Sequence, residues 1–146
     1  MKKILSFIVN EDNQLLILRN NPEDPIHGGD FWYTVTGGFD PGETDGYEVA
    51  KREIREETDL AVKEILYLNW VLVYNNQGID CIEYVYISFV DKKDIILNEE
   101  NIEYKWCDPK EFLDTIKWYY DKDILKEVLM KAINKEVYFT RETIDQ

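Results

Sequence analysis

The stretch from Gly37 to Leu60, GGFDPGETDGYEVAKREIREETDL, decides how the rest of the chain is read. Its second half carries helical signals. Asp45 stands where an N-cap belongs, with Glu48 three residues on as in a capping box. Tyr47, Ala50 and Ile54 recur at the spacing of one helical face. Together they predict a helix from Asp45 to Thr58. Glu53, Glu56 and Glu57 fall at i, i+3 and i+4, so one face of that helix presents three carboxylates side by side. Like-charge pairs at this spacing destabilise an exposed helix by a few tenths of a kcal/mol each. A hard divalent cation reverses that repulsion, because carboxylate oxygens are its preferred ligands. Mg²⁺ needs only one or two of them, with water and substrate phosphate completing its shell. The plainer alternative is a solvated surface in which Arg52 pairs with Glu56.

The segment ahead of the helix weighs against the plainer reading. Gly37-Gly38-Phe39-Asp40-Pro41-Gly42-Glu43 reads as a glycine-rich loop, which lets backbone approach a ligand closely. The helix N-terminus that follows favours an anion. Loop and acidic helix in succession are much more specific than either alone.

Working outward, Ile4 to Val9 and Gln14 to Leu18 are apolar runs around the polar Glu11-Asp12-Asn13, which predicts a hairpin. Asn20 to Asp30 holds Pro22, Pro25, Gly28 and Gly29 and reads as a loop. Phe31 to Thr36 alternates aromatic and β-branched residues, as a short strand does. Beyond the helix, Ala61 to Leu68 with Trp70 to Tyr74, Cys81 to Val90, and Ile102 to Trp106 read as strands, with a turn at Asn75-Asn76-Gln77-Gly78. Pro109 to Ile116 and Asp123 to Asn134 read as helices, the latter with an apolar stripe of Ile124, Leu125, Val128, Leu129 and Ile133. The sum is a mixed sheet with helices packed on it.

The 146 residues fit one domain spanning 1–146, and 45% are hydrophobic, enough for a packed core. No apolar run reaches the roughly 18 residues of a membrane span, and the basic, apolar start is cut short by Asn10-Glu11-Asp12 before it can serve as a signal peptide. Cys81 and Cys107, the only cysteines, have no CxxC spacing and are read as reduced thiols in a cytoplasmic protein. With 17 Lys and Arg against 30 Asp and Glu, the net charge is −13. Such a surface repels nucleic acid and anionic membranes. It repels free polyphosphates too, so a phosphate-handling protein of this charge needs metal ions or a few well-placed cations at its site.

Gly37 to Leu60 resembles the Nudix box: Gly, five residues, Glu, seven residues, then Arg-Glu-apolar-x-Glu-Glu-x-Gly-apolar. Gly37, Glu43, Arg52, Glu53, Ile54, Glu56, Glu57 and Leu60 match. Eight residues instead of seven separate Glu43 from Arg52, with the extra one assigned to Thr44-Asp45-Gly46. Asp59 stands where the pattern has Gly, and Asp tolerates the left-handed backbone of a helix C-cap better than most residues. Phe31 to Gly38, Glu100 to Trp106 and Trp118 are similar to one branch, the dihydroneopterin triphosphate pyrophosphatases and dATP pyrophosphohydrolases.

The resemblance implies an α+β Nudix fold, a mixed β-sheet sandwiched between α-helices. It implies Mg²⁺-dependent hydrolysis, with Mn²⁺ as a substitute, of the diphosphate linkage in a nucleoside or pterin triphosphate, giving a monophosphate and pyrophosphate. An oxidised guanine nucleotide competes as substrate, and a nucleotide-sensing module without turnover or an RNA-directed enzyme are the other readings. The absence of a basic, aromatic stripe counts against RNA. By position in the motif, Glu53, Glu56 and Glu57 are the metal ligands, with Glu53 or Glu57 also activating water. Arg52 orients a catalytic carboxylate. Glu100 is the candidate to complete the site, with Glu99 and Glu103 as competitors. The expected partner is a small nucleotide-like molecule, without nucleic acid or membrane, and the family admits a homodimer.

Further candidates are weaker. Arg19, at the end of the second apolar run, is a candidate for the terminal phosphates or a flanking surface charge, and Lys105 is a weaker one. Trp32, just before Gly37 and Gly38, is a candidate to stack on a ring or to pack in the core. Trp106 is expected in the core. His27, the lone histidine, is expected at the surface.

Overall fold

The computed structural model describes residues 1–24 and 28–136, so His27 lies outside the described residues. The elements run β1 (Lys2–Val9), β2 (Leu15–Asn20), β3 (Trp32–Tyr33), β4 (Val35–Gly38), α1 (Gly46–Thr58), β5 (Glu64–Asn76), β6 (Ile79–Phe89), β7 (Asn101–Cys107), α2 (Pro109–Thr115) and α3 (Lys122–Ile133).

β1 organises them. On one edge it pairs in parallel with β6 along its whole length, Lys2 opposite Ile82 through Val9 opposite Phe89. On the other edge it pairs antiparallel with β4 from Lys3 to Ser6. Both faces of β1 are covered, as parallel strands require. Ile4, Leu5, Phe7, Ile8 and Val9 are all at most 1% exposed. At about 1.5–3 kcal/mol for each fully buried large apolar side chain, this strand contributes strongly to the core.

The two faces of β1 meet different helices. Leu5, Phe7 and Val9 pack with Val85 and Ile87 of β6, Phe112 of α2, and Leu125 and Leu129 of α3. On the opposite face, Ile4 packs with Tyr47 and Ala50, and Ile8 with Ile54, all from α1. The mixed sheet is sandwiched between helices, as the resemblance implies.

The hairpin predicted between β1 and β2 survives only at its turn. Asn10 Oδ1 accepts from the backbone N–H of Asp12 and Gln14 there. One residue pair follows, Val9 with Leu15. β4 already occupies the edge of β1 beyond that point, so β2 swings away to pair with β3 and β7. The strand predicted over Phe31 to Thr36 is likewise divided at Thr34. Its hydroxyl donates to the buried carbonyl of Ser6 at 2.7 Å, and β3 goes to β2 while β4 goes to β1. Gly37 and Gly38 are extended residues of β4, not part of a loop.

Helix α1 starts as its cap requires, Asp45 accepting from Tyr47 N–H at 3.0 Å, while the Glu48 carboxylate lies against Lys51. It ends on Asp59 in the left-handed region (φ 62°), whose N–H donates to the Arg55 carbonyl. Asp fills the position where Gly is usual. β5 and β6 form a long hairpin closed by Gln77-Gly78, both at positive φ, as a two-residue turn demands. A bulge at Asn69 separates the two apolar stretches of β5. Cys81 and Cys107 are both free and buried, and burial pushes the Cys107 thiol up to about 12. Among the described residues no helix is long and apolar enough to cross a membrane.

Candidate functional site

The sheet divides where β4 gives way to β2 along β1. A cavity of about 510 Å³ opens on the α2–α3 side of this division, within the range that holds a nucleotide-sized ligand. Glu57 of α1, Glu100, and Asn20 and Asn101 of β2 and β7 line it together with Lys3, Tyr74 and Glu83. Phe31, Tyr33, Tyr119 and Tyr120 supply its aromatic wall.

Ile54 points into the core, and its neighbours on α1 cannot all face water. Glu53 is 8% exposed and Glu57 4%. Glu56 remains half-exposed. The Glu53 carboxylate fits only because Gly37 has no side chain, since a Cβ there would overlap it. Gly38 carries no such restriction, its nearest potential contact being 3.9 Å away. Gly37 and Gly38, read from the sequence as substrate-binding backbone, do not line the cavity. They shape the carboxylate shelf instead.

Arg52 ties the shelf together. Nε and Nη2 bond the two oxygens of Glu43 at 3.0 and 2.8 Å, Nη2 donates to the Gly38 carbonyl at 3.0 Å, and Nη1 reaches Glu53 at 2.9 Å and Glu56 at 3.2 Å. The two-pronged grip on Glu43 uses the planar fork that only arginine has. That bond first, and the charges of Glu53 and Glu56 after it, hold the guanidinium firmly protonated. The extra residue between Glu43 and Arg52 is absorbed at the helix start, and the pair still meets.

Glu57 is different. Oε1 accepts only a long bond from Asn101 Nδ2 at 3.4 Å, and Oε2 is buried with no partner among the described residues. Burial first, then the charges of Glu100 and Glu53 and a carboxyl–carboxyl contact with Glu53, raise its pKa well above the usual carboxylate range. Burial also raises that of Glu53, against the pull of Arg52. A buried carboxylate oxygen without a partner is costly, and two more carboxylates face it. A divalent cation is the group whose chemistry fits that need. Among the described residues no three acidic, thiol or imidazole side chains stand together closely enough to hold a metal ion by themselves. Mg²⁺ does not require such a group, since water and phosphate supply the remaining oxygens.

Of the three acids suggested to complete the site, Glu100 lines the cavity beside Glu57. Its carboxylate accepts from Asn98 Nδ2, and its N–H donates to Asn98 Oδ1. Glu99 is exposed, and Glu103 is turned outward to Arg19.

Two sequence candidates fall elsewhere. Arg19 holds Asp30 with two bonds of 2.8 and 2.7 Å and Glu103 with a third of 3.1 Å. Its charge is taken by these acids and it does not line the cavity, so the reading as a phosphate ligand is replaced by a surface clamp between β2, β7 and the loop before β3. Trp32 packs against the α2–α3 side of the core, and the residues on either side of it, Phe31 and Tyr33, face the cavity. Lys105 pairs with Glu111, and Trp106 packs beside Leu16 and Leu18.

Sequence reading missed Glu83 and Lys3. The signal was present. Cys81, Glu83, Val85 and Ile87 alternate onto one face of β6, and Lys3, Leu5, Phe7 and Val9 onto one face of β1. In each row a single charge interrupts an apolar series, and the two stand opposite each other in register.

A family model described as NUDIX domain matches residues 2–128. Among solved structures, the chain is similar to the Escherichia coli dihydroneopterin triphosphate pyrophosphohydrolase, with 21% identity, TM-score 0.70, 90% of this chain and 96% of that one covered. It is also similar to an Ap4A hydrolase of C. elegans, with 21% identity, TM-score 0.68, and 89% and 93% covered. A third is the MutT protein of Methanosarcina mazei Go1, with 22% identity, TM-score 0.66, and 93% and 94% covered. At these identities the likeness to the solved structures is one of fold.

Proposed function

The chain belongs to the NUDIX family, and on that premise we propose that it is a Mg²⁺-dependent pyrophosphohydrolase of nucleoside or pterin triphosphates, releasing a monophosphate and pyrophosphate. The observation that carries this reading is the partnerless, buried Oε2 of Glu57, set beside Glu53 and Glu100 at one end of a nucleotide-sized cavity.

In this reading Glu53, Glu56 and Glu57 hold the divalent ion. When bound, it neutralises charge on the diphosphate oxygens and makes water a better nucleophile at neutral pH. The chain's own residues do the rest by positioning, as in other phosphoryl substitutions. Arg52 fixes Glu53 through the 2.9 Å bond and is itself fixed by Glu43. Glu100, which lines the cavity beside Glu57, takes the proton of the attacking water. Asn20 and Asn101 also line the cavity, the Asn20 amide bracing the Asn21 and Gly29 carbonyls and the Asn101 amide facing Glu57. The net charge of −13 repels polyphosphate, and a bound cation would offset that repulsion.

Pyrophosphate release from a panel of nucleoside and pterin triphosphates tests this, with Mg²⁺, with Mn²⁺ and with chelator. Metal-dependent release that Glu56→Gln severely reduces is the expected result. Full activity in chelator, or in that variant, would refute the metal assignment.

A further inference from the structure

A second buried acid in the cavity wall, Glu83, has a chemistry of its own. Glu83 is only 3% exposed yet lines the cavity wall. Both of its neighbours approach one oxygen: the Tyr74 hydroxyl donates to Oε2 at 3.0 Å, and Lys3 Nζ stands 3.7 Å from the same atom. Oε1 makes no hydrogen bond among the described residues. At 3.7 Å the Lys3 contact is longer than an ordinary hydrogen bond, so the ammonium offsets the Glu83 charge and, with three N–H groups, keeps donors for a ligand. Phe31 and Tyr119 flank Tyr33, each with ring centroids 6.3 Å from it, and Lys117 Nζ lies over one face of each, so a flat ring can lie only against the opposite faces.

A carboxylate accepts two parallel N–H groups, one on each oxygen. An ammonium beside it donates to a carbonyl. The complementary edge on a heterocycle is therefore C=O, ring N–H, exocyclic NH₂ in sequence. Adenine lacks the carbonyl and the ring N–H. Cytosine presents acceptors where Glu83 needs donors. Uracil and hypoxanthine have the ring N–H but no amino group beside it. The 2-amino-4-oxopyrimidine edge, shared by guanine and the pterins, supplies all three. We propose that Glu83 and Lys3 are the ring-reading end of this cavity, and that they select a diphosphate substrate carrying a 2-amino-4-oxopyrimidine edge.

This rests on the hydrolase reading for the orientation of the substrate, with phosphates toward Glu57 and ring toward Glu83. Burial raises the Glu83 pKa, while the Lys3 charge and the Tyr74 hydroxyl pull it back. A buried acid held in this way is ready to accept from a ligand.

Uncharged probes test the ring end without the phosphate end. Guanosine, inosine and neopterin, titrated in chelator and followed by NMR, separate the contributions. Guanosine or neopterin should bind at least about tenfold more tightly than inosine, the loss expected for an unmatched donor on a charged acceptor. Glu83→Gln should shrink that ratio to about twofold or less. Lys3→Met should weaken guanosine and inosine alike, since both carry the carbonyl, and leave their ratio intact. The wild-type comparison needs no variant, so a folding failure of Glu83→Gln does not remove the test. Which of guanosine and neopterin binds better distinguishes the two ring classes. Equal binding of all three, binding of none, or an undiminished preference in Glu83→Gln would overturn the proposal. A guanosine or neopterin preference without triphosphate turnover would sink the hydrolase reading and leave this one standing, and turnover without the preference would do the reverse.

Discussion

Two buried glutamates line one cavity, and their surroundings differ. Glu83 on β6 has a lysine at 3.7 Å and a tyrosine hydroxyl at 3.0 Å. Glu57 on α1 has a weak amide contact, an oxygen with no partner, and two further carboxylates for company. The protein supplies Glu83 with its counter-charge and withholds one from Glu57. Burying a charge without compensation costs several kcal/mol. On the proposed reading, a fold that tolerates this at Glu57 while avoiding it at Glu83 leaves Glu57 for a cation from solution.

The contrast is broken most severely at Glu57. Glu57→Gln should lower turnover by about a thousandfold, the scale of several kcal/mol of lost charge stabilisation. The same change should raise the unfolding free energy in chelator by about 1 kcal/mol or more, because it removes a desolvated charge. Added Mg²⁺ should then raise the melting temperature of the parent chain and not of the variant. Loss of stability in chelator together with loss of activity would mean that Glu57 is a structural residue.

The next largest effect concerns the shelf on which Glu57 and Glu53 sit. Gly37→Ala places a methyl group in the space of the Glu53 carboxylate. Displacing a catalytic group by about 1 Å costs on the order of a hundredfold in rate. Gly38→Ala, with its nearest contact at 3.9 Å, should leave kcat within about twofold. Equal effects of the two substitutions would remove the role given to Gly37. Arg52→Lys follows, at about ten- to a hundredfold in kcat with KM little changed. It keeps the charge and loses the fork that grips Glu43 while reaching Glu53.

Acidity sharpens the contrast from the Glu83 side. Its pKa is raised on folding, chiefly by burial. The folded chain therefore favours the protonated form, and the stability linked to Glu83 is fullest below the unfolded-state value and is lost as pH rises through the raised folded value. Glu83→Gln should thus gain stability relative to the parent chain as pH is raised across that window, read as the difference between their melting curves. The smallest effect is expected at Asp59, left-handed at φ 62°. Asp59→Gly should stabilise by about 0.5 kcal/mol, since glycine enters that region without the Cβ penalty but loses more freedom on folding.

How far the sequence could be read depended on the range of the interactions involved. The acidic face of α1, its Asp45 cap and its Asp59 end are local features, fixed within one or two turns, and they stand where the spacing put them. Arg19 and Trp32 were not decidable locally. The partners of Arg19, Asp30 and Glu103, lie 11 and 84 residues away and meet it only through the pairing of β2 with β3 and with β7. The β1–β2 hairpin failed for a similar reason. Alternation gives each strand its two faces but does not say which strand takes which edge, and β4 takes most of the edge that β2 was expected to fill. Glu83 and Lys3 were legible one at a time as charges inside apolar rows. Their meaning required the parallel register that sets them side by side.

The most direct test is a titration of the protein with Mn²⁺, followed by the electron paramagnetic resonance of the free ion. The parent chain should bind the ion, and Glu57→Gln should bind it at least about tenfold more weakly, with Glu83→Gln unchanged. Binding that survives in Glu57→Gln at the parent affinity would contradict the assignment of the unpartnered carboxylate to a metal.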